Sequence, residues 1–257
     1  MLPPLRALLD EVHRRDPSPR IYFLGDYVNR GPDSRGVIDH LLTLEGARFI
    51  RGNHDDMFDL ILHGHCEAEN IAGKDRLAAF KWFMQHGLDT TLRSYGASAS
   101  QLDYLLARPQ MEMLDEVLAG VPDAHRAFLR ELPLTAGDED FFIVHGQWPV
   151  DVHTLEPGIP SRLDRHAKLR GIAIWGRYNE LAIAQPKVWE RTGFVGHTPV
   201  DNYAPAKGGA PMLPVVGDKL VLLDTAVALV EHGRLTAWCV DTQTFIQTDR
   251  QARLVTS

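Results

Sequence analysis

The spacing of apolar residues changes period several times along the chain. Residues 2–14 place Leu2, Leu5, Leu8, Leu9 and Val12 on one side of a helix. Pro3 and Pro4 fall in its first turn, where a missing N–H costs little. The short apolar run from Arg20 to Leu24 stops at Gly25-Asp26 and predicts a buried strand. Asp33 or Ser34 can cap a helix carrying Val37, Ile38, Leu41, Leu42 and Leu44 on one side. A second strand is predicted from Ala47 to Ile50, breaking at Gly52-Asn53-His54. Strand, loop, helix and strand in this order describe a parallel α/β unit, with ligands at the carboxyl ends of its strands.

From about Met57 to Leu132 the pattern is mainly helical, with breaks at Gly87, Gly96 and Pro109. It predicts a helical insertion, about 57–132, within a single domain spanning 1–257. Strand signals return at Phe141–Val144, Gly193–Val195 and Lys219–Asp224. Gly233–Val240 and Thr244–Gln247, separated by Asp241-Thr242-Gln243, predict an antiparallel hairpin. Residues 203–217 are rich in Pro, Gly and Ala and predict a loop.

Bulk composition narrows the function classes. The 257 residues are enough for one large domain with a real core. A formal net charge of -7 argues against broad nucleic-acid binding, which wants a basic face. Cys66 and Cys239 stand far apart, as in a reduced, cytoplasmic protein and not a disulfide scaffold. No apolar run approaches membrane length, and the start lacks a basic segment followed by an apolar one, so no membrane partner is expected.

Four segments each end a predicted strand with a metal-binding side chain. They are Gly25-Asp26-Tyr27-Val28-Asn29-Arg30-Gly31, Arg51-Gly52-Asn53-His54-Asp55, Val144-His145-Gly146 and Gly196-His197-Thr198-Pro199. Asp26, Asn53, His145 and His197 offer a carboxylate, an amide oxygen and two imidazoles, a set that suits manganese, iron or zinc. Arg30 can grip a phosphate oxygen and His54 can donate a proton, which together argue for phosphate-ester hydrolysis by metal-activated water. One histidine after an apolar run is usually structural; the joint pattern reverses that for His54, His145 and His197. His63-Gly64-His65-Cys66 has no second ligand pair at zinc-finger spacing, so it is read as structural. Asp55 and Asp56 are read as acids opening a helix. Arg51 is read as local packing, Trp148, Trp175 and Trp189 as core or pocket wall, and Lys187 and Arg191 as exposed charges. His13, His40, His125, His153, His166 and His232 are expected at helix ends or in solvent.

These four segments resemble the phosphoprotein phosphatase family of calcineurin-like metallophosphoesterases, and the resemblance covers nearly the whole chain. Trp82-Phe83-Met84-Gln85-His86-Gly87 with Thr90-Thr91-Leu92-Arg93-Ser94-Tyr95-Gly96 is similar to the bacterial branch, which includes serine/threonine protein phosphatases and diadenosine tetraphosphate hydrolases. The resemblance implies a four-layer α/β/β/α sandwich with two mixed sheets and a site holding two divalent metals, manganese first, iron or zinc otherwise. It implies Asp26 as the bridging carboxylate and Asn53, His145 and His197 as the second metal's shell. Arg30 and Arg177 would grip the phosphoryl group, and His54, with Asn29 beside it, would serve the leaving oxygen.

Two departures stand out. The family's opening Gly-Asp-x-His-Gly motif, which supplies a strand and two ligands to the first metal, has no counterpart here. The expectation is that the natural protein starts upstream of Met1, and that the 257-residue form is weakly active. Asn29 stands where the family usually has Asp, so Asn29→Asp in a complete protein is expected to raise kcat. The expected substrate is phosphoserine or phosphothreonine in proteins, with dinucleoside polyphosphates as the rival. A third reading is a catalytically impaired protein that binds metal and phosphate.

Overall fold

The computed structural model describes residues 1–64, 76–148, 167–185, 189–203 and 212–255. His65, Cys66, His153, His166 and Lys187, and most of the loop expected at 203–217, lie outside the described residues.

Helix α1 (Leu2–Arg15) starts on its two prolines and buries Leu5, Leu8 and Leu9. Strand β1 (Tyr22–Phe23) pairs in parallel with β2 (Arg48–Phe49). Between them lies α2 (Ser34–Leu41), capped by the Asp33 carboxylate, which accepts from the Gly36 N–H at 2.8 Å. The helix is shorter than expected. It ends at Leu41, so Leu42 turns outward and is 47% exposed. Helix α3 (Asn53–His63) follows directly from β2. Then come α4 (Arg76–Met84), α5 (Leu88–Ser94), α6 (Ala99–Ala107), α7 (Met111–Leu118) and α8 (Asp123–Glu131). Their apolar faces close over α3, burying Phe58, Phe80, Phe83, Leu92, Leu105 and Leu129 in one core.

The principal sheet contains β3 (Thr135–Gly137), β4 (Phe141–Val144), β5 (Thr192–Val195), β6 (Val215–Gly217) and β7 (Leu220–Leu222), in the order β3-β4-β5-β7-β6. Strands β4, β5 and β7 run parallel, with antiparallel β3 and β6 at the edges. Alternation along β4 decides what each face meets. Phe142 and Val144 face Ala173 and Ile174 of α9 (Ala167–Trp175), which is followed by α10 (Glu180–Ala184). Phe141 and Ile143 face Ile50, Tyr22 and Trp238. Trp238 belongs to the antiparallel set β8 (Arg234–Cys239), β9 (Thr244–Asp249) and β10 (Leu254–Val255). Helix α1 covers the far side of β8 and β9, tied there by Thr248 Oγ1 donating to the Pro4 carbonyl at 3.0 Å. Helix, strand layer, strand layer and helix thus stack as expected, with the second strand layer divided into a two-stranded and a three-stranded piece. The hairpin expected near the carboxyl end is β8-β9. Residues 215–217 are a strand and not the loop their composition suggests, because pairing with β7 supplies hydrogen bonds that local sequence cannot report.

Arg51 fills the local structural role read from its position. It is 4% exposed, its Nη1 reaches Asp56 at 3.1 Å and Asp59 at 3.0 Å, and its other donors take the carbonyls of Leu129, Arg130 and Leu132. It therefore fastens the end of β2 to α3 and α8. Arg51→Leu removes the guanidinium that Asp56 and Asp59 share, leaving Asp56 to Arg170 and Asp59 to His63, and is expected to cost about 3–5 kcal/mol in urea unfolding. A loss below about 1 kcal/mol would contradict this account.

Candidate metal centre and phosphate pocket

The site is assembled where two turns touch. Gly25 has φ +93, and a side chain there would put its Cβ 2.5 Å from the Gly52 nitrogen. Without side chains at either position the two backbones meet, and the residues that follow, Asp26 and Asn53, face one point. The Asp55 carboxylate locks the contact. It accepts from the N–H groups of Asp26 at 2.7 Å, Tyr27 at 2.9 Å and Gly52 at 2.9 Å. Asp55 was expected only to open a helix; it does so, and also clamps both turns. Burial and the neighbouring Asp26 push its carboxyl up, to about 7, against the three donors that favour its charged form.

Asp26, Asn29, Arg30 and His197 all have positive φ, at 60, 73, 62 and 64 degrees. Such backbone is uncommon for residues other than glycine, and here it aims four side chains expected at the site. The Asp26 Oδ1 accepts the His54 N–H at 3.0 Å, in the first turn of α3, where the helix end favours an anion.

Four donor side chains converge. Asn53 Oδ1 lies 3.1 Å from His145 Nε2 and 2.9 Å from His197 Nδ1, and His145 Nε2 lies 3.3 Å from Asp26 Oδ2. His145 Nδ1 donates to the Leu24 carbonyl at 2.6 Å, which leaves Nε2 as the nitrogen aimed inward. Ligands about 2.1 Å from one cation, at right angles, sit about 3 Å apart, so this spacing fits a shared divalent ion. No group of three or more His, Cys, Asp and Glu side chains suited to a metal occurs among the described residues. The set closes through the Asn53 amide oxygen, which both imidazoles face. Burial would push the Asp26 carboxyl up, but His145, His54 and His197 outweigh it and hold it well below the usual range. Burial works against charge on His145, yet Asp26 and the Leu24 carbonyl bring it to about 8. Burial, with His145 beside it, holds His197 down to about 3, and burial holds His54 down to about 4, so these two rings face the point as neutral imidazoles.

The profile of the Calcineurin-like phosphoesterase family matches residues 2–213. The chain belongs to that family. Among relatives of this calcineurin-like phosphoesterase is a symmetrical bis(5'-nucleosyl)-tetraphosphatase of Pseudomonas syringae pv. syringae (strain B728a), 42% identical over 55 residues, covering 21% of this chain and 19% of that protein. Another protein of that name, from Pseudomonas fluorescens (strain SBW25), is 30% identical over 89 residues, covering 32% of this chain and 31% of that protein. The chain thus spans under a third of the length of these two relatives. A solved metallophosphoesterase from Sphaerobacter thermophilus is similar with TM-score 0.43 and 17% identity, covering 98% of this chain and 81% of that one.

Beside the donor set, Asp26, Arg30, Asn53, His54, Arg177 and His197 line a cavity of about 120 Å³ with Trp82, Phe83, His86 and Trp175. Trp82 and Trp175 stack at 5.7 Å, and Phe83 meets the His54 ring edge-to-face at 5.2 Å. All eight site residues expected from sequence converge here: seven belong to the donor set or the cavity lining, and Asn29 reaches the cavity through His54, 2.7 Å away. Trp175 is pocket wall, as expected, and Trp148 is core. The pocket role of Trp82, Phe83 and His86 was missed. Their stretch was noticed for its likeness to the bacterial branch, but no periodicity marks it as facing a site. His125 lies in the first turn of α8, one of the placements expected, but not in solvent. It is 2% exposed, bridging the Tyr95 hydroxyl at 2.8 Å and Asp39 at 2.9 Å. Arg191 is half-buried and donates to the Asp138 carbonyl at 2.7 Å, so it is more than an exposed charge.

Asp55→Asn turns one of two acceptor oxygens into a donor facing a backbone N–H. It is expected to cost about 1–3 kcal/mol in urea unfolding and to weaken manganese binding about 10–100-fold by calorimetry. Unchanged manganese affinity would show that the clamp does not position Asp26.

Proposed function

We propose that this phosphoesterase hydrolyses a phosphoanhydride of a dinucleoside polyphosphate, using one or more divalent metals and water. Asp26, Asn53, His145 and His197 would hold a metal, which when bound supplies hydroxide at neutral pH and draws charge from the phosphoryl oxygens. The chain's own residues do the rest. Arg30 and Arg177 bind the phosphoryl oxygens, Arg177 being steadied by donation from Nη1 to Thr198 Oγ1 at 3.0 Å. His54 faces the leaving oxygen.

The observation that carries this reading is the composition of one cavity, in which two guanidiniums and three imidazoles share walls with a stacked indole pair. At about 120 Å³ it is far smaller than the roughly 300–1,000 Å³ of pockets that enclose whole ligands. It has room for a phosphoryl group, while a nucleoside would rest outside against the indoles. A flat aromatic surface suits a nucleobase better than the side chain of phosphoserine. The names of the relatives favour the same choice, which reverses the order of substrates expected from sequence.

With manganese, kcat/KM for diadenosine tetraphosphate is expected to exceed that for a phosphoserine peptide at least about tenfold; a peptide preference would overturn the reading. Arg30→Ala should lower kcat about 10²–10³-fold. Trp175→Ala should raise KM for diadenosine tetraphosphate about 5–100-fold, the loss of one stacked base, and change KM for inorganic tripolyphosphate, which carries no ring, far less. Equal effects on both substrates would remove the indole pair from nucleoside binding.

A further inference from the structure

Asn29 is 6% exposed, and its amide is engaged on both sides. Its Nδ2 lies 2.7 Å from His54 Nδ1, and its Oδ1 lies 3.0 Å from the Thr91 hydroxyl. Thr91 Oγ1 accepts from the Asn29 N–H at 2.7 Å and lies 2.8 Å from Ser34 Oγ. Thr91 and Ser34 are also buried.

Counting hydrogens sets the direction of this network. A hydroxyl has one hydrogen and two lone pairs. With Thr91 donating to Asn29 Oδ1, its lone pairs take the Asn29 N–H and the Ser34 hydroxyl, and the hydrogens of both hydroxyls and of the Asn29 N–H find acceptors. With the amide turned over, Thr91 accepts from Asn29 twice and donates to Ser34. The Ser34 hydrogen then has no acceptor within the network, and an unsatisfied buried donor is costly. The amide therefore presents its NH₂ to the imidazole. His54 Nδ1 must be the bare nitrogen, and Nε2 carries the hydrogen.

A carboxylate at position 29 would accept from Nδ1–H and support a charged imidazolium as proton donor. An amide N–H against Nδ1 does the opposite. His54 keeps a neutral ring whose Nε2–H can hydrogen-bond a departing oxygen, but transfer of that proton would leave an imidazolate. We propose that Asn29, oriented by Thr91, holds His54 as a neutral hydrogen-bond donor and so confines the enzyme to phosphoryl groups whose leaving oxygen departs as a stable anion. In the step itself, water oxygen bonds to phosphorus and its proton passes to solvent. The P–O bond to the leaving group breaks, with its electron pair on the leaving oxygen. A nucleotide phosphate tolerates that charge, its second pKa being about 6. A serine alkoxide is comparable with hydroxide, whose parent water has pKa about 15.7, and does not. Phosphoanhydrides and aryl phosphates are thus substrates, and phosphoserine is not. The inference rests on the phosphoesterase reading and sharpens it; Asn29 and Thr91 are positioning residues acting through His54.

Two measurements test it on the full chain. In the zinc-loaded protein with nitrogen-labelled histidine, the resonance lost in His54→Asn should show hydrogen on Nε2 and none on Nδ1. Thr91→Val, which frees the amide to turn, and Asn29→Asp should both move the hydrogen to Nδ1, while Thr91→Ser should not. Hydrogen on Nδ1 in the unaltered protein overturns the proposal. In kinetics, kcat for para-nitrophenyl phosphate should exceed that for a phosphoserine peptide at least about 100-fold, the scale of a missing general acid. Asn29→Asp should raise kcat for the phosphoserine peptide at least about tenfold more than it changes kcat for the aryl ester. Equal changes on both esters overturn it. Cleavage of para-nitrophenyl phosphate but not diadenosine tetraphosphate, with these ratios, would remove the nucleotide reading and uphold this one.

Discussion

Asp26 and Asn53 are 27 positions apart in the chain and share one point in space because two backbone turns touch at Gly25 and Gly52. Three N–H groups from both turns converge on the Asp55 carboxylate, and no other described group spans both turns in this way. That carboxylate converts two flexible connections into one rigid corner. Everything at the site hangs from it: the direction of Asp26, the start of α3, and hence the positions of Asn53 and His54. It is a buried acid whose charge is satisfied by backbone, which suits a scaffold better than a reacting group.

The corner then meets β4 and β5 from the other strand layer. His145 follows β4 and His197 follows β5 after Gly196, and these strands are parallel neighbours, so both imidazoles emerge at the same edge. Hydrophobic burial between the layers, through Ile50, Phe141, Ile143 and Phe194, sets the distance across which the donors face one another. The left-handed backbone at Asp26, Asn29, Arg30 and His197 is a local cost borne by that packing.

A single amide changes what the site can do. Asn29 hydrogen-bonds His54 and Thr91, and under the proposal the atom it offers to the imidazole decides whether the ring is a proton donor or a hydrogen-bond donor. In the proposed function the donor set of Asp26, Asn53, His145 and His197 and the two arginines would supply charge whatever the leaving group is. Under the same proposal, discrimination between an anhydride and an alkyl ester would lie instead in the proton at the far side of phosphorus.

Much of the architecture was legible from periodicity alone. The helices α1 and α2, the β1 and β2 turns, β4, β5, β7 and the β8-β9 hairpin carry their apolar spacing and turn residues in adjacent positions, and local physics suffices for them. Asp26, Asn53, His145 and His197 were legible as candidates where apolar runs stop, with Arg30 and His54 beside them, whereas Asn29 and Arg177 were pointed out only by the family resemblance. Edge strands β3, β6 and β10 were not, because two or three residues become a strand only when a neighbour offers its hydrogen bonds. The Asp55 clamp, the buried His125 bridge, the indole wall and the direction of the Asn29 amide were likewise silent. Each depends on atoms brought together across 28 to 93 positions of chain, and only folding determines which donor meets which acceptor.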